Sequence, residues 1–446
     1  MERLWSGGDP SPPVPPESRD GPTPTRETPK CALLFPGTGS QYVGMAGFLR
    51  ESASESARRQ VQHTWDEAND ALKGFDDWVR ALGLAQRQGT LGQLGHRLND
   101  ALGADARLST TEGRTLESIA FDGPQDELTR SLNAQPAILV TSIAFLRALD
   151  HDAQKLGRPL THKVAFYLGH SSGEFAAAVA SGAIAFKDGV RLARLHGLAT
   201  ELALELPGIE LSASSLADPA TFAQMSAIII NPGHSHDEVA NVVRGVSSTE
   251  AGQGARGAVE VASFNSNAQV VLSGTREGIY RACDVLREQG IASRAADLPV
   301  SATFHASFLG PAAQVMRHAL DSVHVAVPTA PIISGADGQP TSDPRKIADN
   351  LVRQVTQPVQ WATCLATLRS AAVPLDATAD DAAEDNSVGR LVFLGPGKAL
   401  ANLARRDLRA SMALTDREAD VSDQRDRVEV ETVATENDLQ SLEDFW

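Results

Sequence analysis

Short apolar runs closed by glycine recur along the chain, separated by stretches long enough for helices. KCALLF (30–35) is apolar after its lysine and stops at Pro36-Gly37, the pattern of a strand buried on both faces. KVAFYLG (163–169) is a second such run and leads directly into EFAAAVASGAI, a small-residue helix. SAIII (226–230), VEVASF (259–264) and QVVLSG (269–274) alternate or run apolar, and RLVFLGPG (390–397) is the last buried strand. Strands separated by helix-length segments predict an α/β fold with a mostly parallel sheet, built from residues 31–205 and 301–413. The closer-set strands of 206–300, around two helical segments, predict a smaller α+β domain inserted into it. Residues 74–120 carry no strand signal and read as a polar, partly helical insertion.

The ends read differently. Residues 1–30 hold eight of the 24 prolines among polar residues and predict a disordered arm. That arm lacks an apolar signal-peptide core, and its five acids make it a poor mitochondrial transit peptide. The chain carries a net charge of −16, and the stretch from Asp416 to Trp446 holds eleven acids against three arginines. Residues 414–446 therefore predict an acidic, disordered tail. No Lys/Arg run offers a basic face, which excludes a nucleic-acid binder. No uninterrupted apolar stretch reaches the ~18 residues of a membrane span. Cys31, Cys283 and Cys364 are too few and too widely spaced for a disulfide framework or a zinc ribbon, and read as buried thiols.

Candidate chemistry centres on GHSSG, Gly169–Gly173. A G-x-S-x-G pentapeptide alone is weak, but here a buried strand enters it and a helix leaves it, the setting of a nucleophile elbow at Ser171. The N-terminus of the following helix aims free N–H groups at the same place. A serine needs a base, and eleven histidines are available. His170 adjoins Ser171 but diverges from it in a tight turn. His234 and His236 form an H-x-H pair in a polar loop without a third ligand nearby, which favours solvated side chains over a metal site. His305, after the apolar, strand-like run LPVSA and before small residues, is placed to project into a cleft. GTGSQYVGM (37–45) lacks the third glycine of a dinucleotide loop, and GPGKA (395–399) lacks the Ser/Thr of a Walker loop.

FPGTGSQYVGM, AQPAILVTS, LGHSSGEFAAAVASGAIAF, VASFNSNAQVVLSG, LPVSATFHASF, LVRQVTQPVQW and LGPGKALANLARR follow one another over residues 31–408. Together they resemble the malonyl-CoA:acyl-carrier-protein transacylases, with wording closest to the stand-alone fungal mitochondrial type. The resemblance implies a hydrolase-like α/β domain with a ferredoxin-like insert and the active site between them. It implies Ser171 as nucleophile, His305 as general base and then acid, and the main-chain carbonyl of Gln354 as the group orienting the imidazole. It implies an oxyanion hole from the N–H groups of Ser172 and Thr38, the latter standing where relatives have Gln. Gln135, His170 and Asn265 match positions lining or bracing the site. The implied partners are malonyl-CoA and an acyl carrier protein bringing its own phosphopantetheine, with no metal, no further cofactor, no membrane and a monomeric enzyme. The implied compartment is mitochondrial, otherwise cytoplasmic.

One departure bears on the acyl group. Where malonyl-specific relatives carry an Arg that forks onto the malonyl carboxylate, this chain has His196, and Arg194 lies two positions back on the other helix face. An imidazolium pairs with a carboxylate but lacks the double hydrogen bond of guanidinium. Malonyl transfer is the primary expectation, with transfer of acetyl or another monoacyl group as the alternative. A serine thioesterase or esterase is a second alternative, and would need an acid before His305, for which Asp297 is the candidate. Arg194, Arg353, Lys398, Arg405 and Arg406 are candidates for a basic rim.

Overall fold

In a computed structural model of the chain, the described residues are 30–51, 54–104, 114–155, 163–206, 209, 223–248, 258–298, 300, 302–371, 388–415 and 429–433. The arm expected over 1–30 therefore lies outside them, except for Lys30.

The strands are β1 (Lys30–Phe35), β2 (Val164–Gly169), β3 (Ala223–Ile230), β4 (Val259–Ser266), β5 (Gln269–Thr275), β6 (Ala292–Asp297), β7 (Ile332–Ile333), β8 (Pro340–Thr341), β9 (Val388–Leu394) and β10 (Glu429–Val433). They form two sheets. The larger has the order β10-β9-β1-β2-β7-β8, parallel except for the short antiparallel β7–β8 pair. The period-2 geometry of β1 divides its apolar run between two layers. Cys31, Leu33 and Phe35 enter the main core, beneath the helices Glu55–Lys73, Ser131–Lys155 and Phe186–Ala203. Ala32 and Leu34 enter the opposite core, with Trp361, Leu365 and Leu368 of one helix and Ala401 and Ala404 of another. Both faces of the sheet are covered, as an all-apolar parallel strand requires. Ser131–Lys155 is long and apolar enough to cross a membrane, but 89% of its apolar window is buried beside the sheet.

The smaller sheet has the order β4-β5-β3-β6, antiparallel throughout, and the helices His236–Ser248 and Arg276–Glu288 connect β3 to β4 and β5 to β6. This β-α-β-β-α-β order is the ferredoxin-like insert expected within 206–300. Its core of Ile228, Val239, Val243, Leu272, Ile279 and Leu286 is separate from the other two.

The structure departs from the sequence reading in three places. The expected insertion at 74–120 is not an excursion: Leu91, Leu94, Leu98 and Leu102 lie on one face of the Gly89–Ala104 helix and are buried in the main core. Nor is RLVFL the last strand, because β10, within the stretch read as a disordered tail, pairs in parallel with β9 over five residues. Val430 packs on the core there, while Glu429 and Glu431 reach Arg390 at 2.8 and 3.2 Å. The third departure is at LPVSA, which forms no strand among its described residues and approaches His305 as irregular chain.

Candidate active site

β2 ends at Gly169 and the Gly173–Ala180 helix starts four residues later, so His170, Ser171 and Ser172 make the whole turn. The turn is tied by Gly173 N–H to His170 O (3.0 Å) and Glu174 N–H to Ser171 O (2.9 Å). His170 N–H also donates to Phe35 O on β1 (3.0 Å). The left-handed backbone falls on Ser171 itself, with φ 56°. The flanking glycines serve close approach instead: a Cβ on Gly169 would collide with the Gly173 backbone, and one on Gly173 with the Phe35 carbonyl.

Ser171 Oγ lies 2.6 Å from His305 Nε2, across 134 residues of sequence. His305 also adopts a left-handed backbone, with φ 59°, and its Nδ1 lies 2.6 Å from the main-chain oxygen of Gln354. A carbonyl only accepts, so Nδ1 carries the ring proton and Nε2 presents its lone pair to the serine. Burial lowers the His305 pKa to about 4, against a smaller rise from the Gln354 hydrogen bond, so the ring is neutral at neutral pH. Asp297, the acid a hydrolase triad would need, is instead the acceptor for Ser226 Oγ at 2.6 Å. A main-chain carbonyl thus occupies the place of the third triad member.

The cleft at this pair is about 480 Å³, lined on the nucleophile side by Gly37, Thr38, Ser171 and His305, and by Met225, Val271, Leu298, Val300 and Phe304 from the insert and the segment after it. Among the described residues, Ser172 N–H has no protein acceptor, as an oxyanion donor requires. The other expected donor is engaged: Thr38 N–H donates to Ser172 Oγ at 3.1 Å, and Thr38 Oγ1 is 3.2 Å from the same oxygen.

The acyl transferase domain model matches residues 32–226. The malonyl CoA-acyl carrier protein transacylase of Bacillus subtilis strain 168 is 29% identical over 377 residues, covering 84% of this chain and 90% of that protein. The crystal structure of an acyl-carrier-protein S-malonyltransferase from Burkholderia pseudomallei superposes with a TM-score of 0.63 at 30% identity, covering 92% of this chain and 98% of that one. The chain belongs to the acyl-carrier-protein S-malonyltransferase family. A second member, from Bartonella henselae, gives a TM-score of 0.65 at 28% identity over 93% of this chain.

Against this S-malonyltransferase frame, His196 stands out. It is buried, its Nδ1 is 2.7 Å from Gln135 Oε1, and its ring stacks on Phe304 at 6.4 Å. Burial, helped by the nearby His305, lowers its pKa to about 3. His196 is therefore a neutral ring that donates to Gln135, not an imidazolium. Arg194 does lie on another face, over the Phe75 ring and donating to Asn133 Oδ1 at 3.3 Å.

The remaining candidates separate by position. His170 Nε2 pairs with Asn265 Oδ1 at 2.9 Å, and the ring meets Trp361 edge-on at 5.2 Å, a contact with no signal in the sequence. Both His170 and Asn265 line the cleft, joining the elbow to the insert. His234 and His236 are not simply solvated: His234 pairs with Glu238 at 3.0 Å, and His236 Nε2 is 2.8 Å from Ser266 O. Of the five basic-rim candidates, Lys398 and Arg406 line the cleft. Arg405 is turned to Val430 O at 2.8 Å, and Arg353 to Asp337 at 3.8 Å.

Proposed function

We propose that this protein transfers a malonyl group from malonyl-CoA to the phosphopantetheine thiol of an acyl carrier protein, through an ester on Ser171, in fatty-acid synthesis. The observation that carries the reading is the line Ser171 Oγ, His305 and Gln354 O, with both links at 2.6 Å. His305 Nε2 takes the serine proton as Oγ attacks the thioester carbonyl, and Ser172 N–H meets the oxygen that becomes negative. Collapse breaks the C–S bond, and the imidazolium protonates the departing sulfur. The carrier's thiol then enters and the sequence runs in reverse. Both reactant and product are thioesters, so the enzyme supplies rate and not driving force. The pantetheine arm belongs to the partner, and the transfer uses no further cofactor. Lys398 and Arg406 are the cationic groups in the cleft suited to the phosphates of either anionic partner.

A second reading has one observation in its favour. The neutral His196–Gln135 pair supplies hydrogen bonds but no positive charge, which suits an uncharged acyl group such as acetyl better than a carboxylate. Intact-protein mass spectrometry after mixing with malonyl-CoA or acetyl-CoA separates the two. A malonyl adduct on the parent, absent in Ser171→Ala, is the expected result. An acetyl adduct alone would keep the mechanism and replace the substrate, whereas release of free coenzyme A without any adduct would favour a hydrolase.

A further inference from the structure

We propose that the side-chain hydroxyl of Ser172 is the second donor to the oxyanion, held and polarised for that role by Thr38. The inference rests on the acyl-Ser171 chemistry above and assigns a part that backbone N–H groups alone do not fill here.

A hydroxyl has two acceptor sites and one hydrogen to donate. Thr38 N–H donates to Ser172 Oγ at 3.1 Å, and the two hydroxyls share one hydrogen over 3.2 Å, which either oxygen can donate. When Thr38 Oγ1 supplies that hydrogen, as the proposed role requires, both acceptor sites of Ser172 Oγ are filled and the Ser172 hydrogen points elsewhere. Among the described residues, Ser172 Oγ has no further protein partner, and the residue is 5% exposed. Both serines of the elbow border Gly37: a Cβ placed there would lie 3.2 Å from Ser172 Oγ and 3.3 Å from Ser171 Cβ. The hydroxyl therefore lies where the Thr38 N–H, the other expected oxyanion donor, is aimed, in the same residue as the N–H that has no protein acceptor among the described residues. A donor that already accepts two hydrogen bonds is strengthened by them, most of all in a site shielded from water.

During attack, the Ser171 Oγ–C bond forms, the carbonyl π pair moves to oxygen and the serine proton passes to His305 Nε2. The negative oxygen accepts from Ser172 N–H and Ser172 Oγ–H. On collapse the π bond returns, the C–S bond breaks and the His305 proton goes to sulfur. Ser172 keeps its proton throughout. It touches the reacting atoms, whereas Thr38 acts through it and is a positioning residue.

The test is the single-turnover rate of Ser171 acylation in the full chain, followed by quenched-flow mass spectrometry with malonyl-CoA and acetyl-CoA. Ser172→Ala should slow acylation on the order of 10²-fold, the usual consequence of losing one oxyanion donor. KM should change less than about two-fold, and Ser172→Thr, which restores a hydroxyl, should recover most of the rate. Thr38→Val keeps the N–H and the shape but removes Oγ1; it should slow the parent about five-fold and have no effect in the Ser172→Ala background. Acylation by Ser172→Ala at or above the parental rate would mean that the hydroxyl merely occupies Thr38 N–H, and would overturn the proposal. So would an equal cost of Thr38→Val in both backgrounds, and so would a parental acylation rate in Thr38→Val alone, an outcome readable even if Ser172→Ala folds poorly. A parent that forms no Ser171 adduct overturns the underlying transferase reading as well, so the two failures are distinguishable.

Discussion

Ser171 and His305 face each other from backbone conformations that residues with side chains rarely adopt, at φ 56° and 59°. Each such residue typically costs about 1–3 kcal/mol, sustained only where the surroundings dictate it. What they gain is a neutral base aimed at a hydroxyl. Because burial lowers the His305 pKa to about 4, the base is deprotonated across the neutral range and protonated only below it. The pH profile of acylation should therefore be flat above about pH 6 and fall toward pH 4; an acid limb centred near the ordinary 6.5 would contradict the buried, neutral ring. Asp297→Asn should retain activity within about two-fold, since its partner is Ser226 and not His305; a dead variant would restore the hydrolase triad. At this scale Ser171 is legible from the strand, the glycines and the helix around it. His305 is one histidine among eleven until the ordered motifs single it out. The carbonyl that orients it has no signature, because every residue has one. The meeting of Thr38 with Ser172 is equally invisible, since two hydroxyls 134 residues apart become partners only through β1 and β2.

The elbow is the element on which the rest depends. Gly173→Ala would press a methyl group into the Phe35 carbonyl, which neither β1 nor the helix start can yield without moving Ser171. It should cost ~1–3 kcal/mol of stability and at least about 100-fold in acylation, measured by urea unfolding and by adduct formation. At the very next residue the helix buries Glu174, which accepts from Gly335 N–H at 2.7 Å and from Ser334 Oγ. Burial raises its pKa to about 8, so in the folded protein it holds a proton that an unfolded glutamate sheds above 4.5. Its stabilising contribution is therefore complete below about 4.5 and is lost as pH rises through about 8. Glu174→Gln should leave stability near pH 6 little changed and make it less sensitive to alkali, read from unfolding midpoints at pH 6 and about 9. The elements themselves are unevenly legible. β1, β2 and β9 announce themselves because both faces are apolar. The Gly89–Ala104 helix has its leucines at helical spacing, but the polar residues between them mask a face that is wholly buried. β6, exposed at all but its first residue, has no apolar face to read.

The whole molecule adds couplings that no single element shows. β10 covers the outer edge of β9, and its acids pair with Arg390. Its alternation of valine and glutamate is a strand pattern hidden inside an acid-rich stretch. A chain ending at residue 428 should melt several degrees lower by calorimetry and associate through the bared edge of β9; an unchanged melting point would mean that β10 adds no stability. Acid acts on the molecule through its buried histidines. His170 is lowered by burial, His196 to about 3 and His305 to about 4, so below 6.5 the unfolded chain takes up protons that the folded one refuses. Their stabilisation is complete above about 6.5 and drains away as pH falls toward those folded values, by up to ~1.4 kcal/mol per pH unit for each ring. Denaturant midpoints should accordingly be lower at pH 5 than at pH 7.

The insert is also tied beside the cleft to the segment that leads into the Trp361–Ser370 helix. Val359 N–H donates to Ala262 O at 2.9 Å, Phe264 N–H donates to Val359 O at 2.9 Å, and Ser263 forms a parallel bridge with Val359. Backbone bonds of this kind resist sliding of β4 past that segment and hold this wall of the cleft in register with the larger domain. With that wall anchored, bending, threading in and withdrawing fall to the long arm carrying the acyl group.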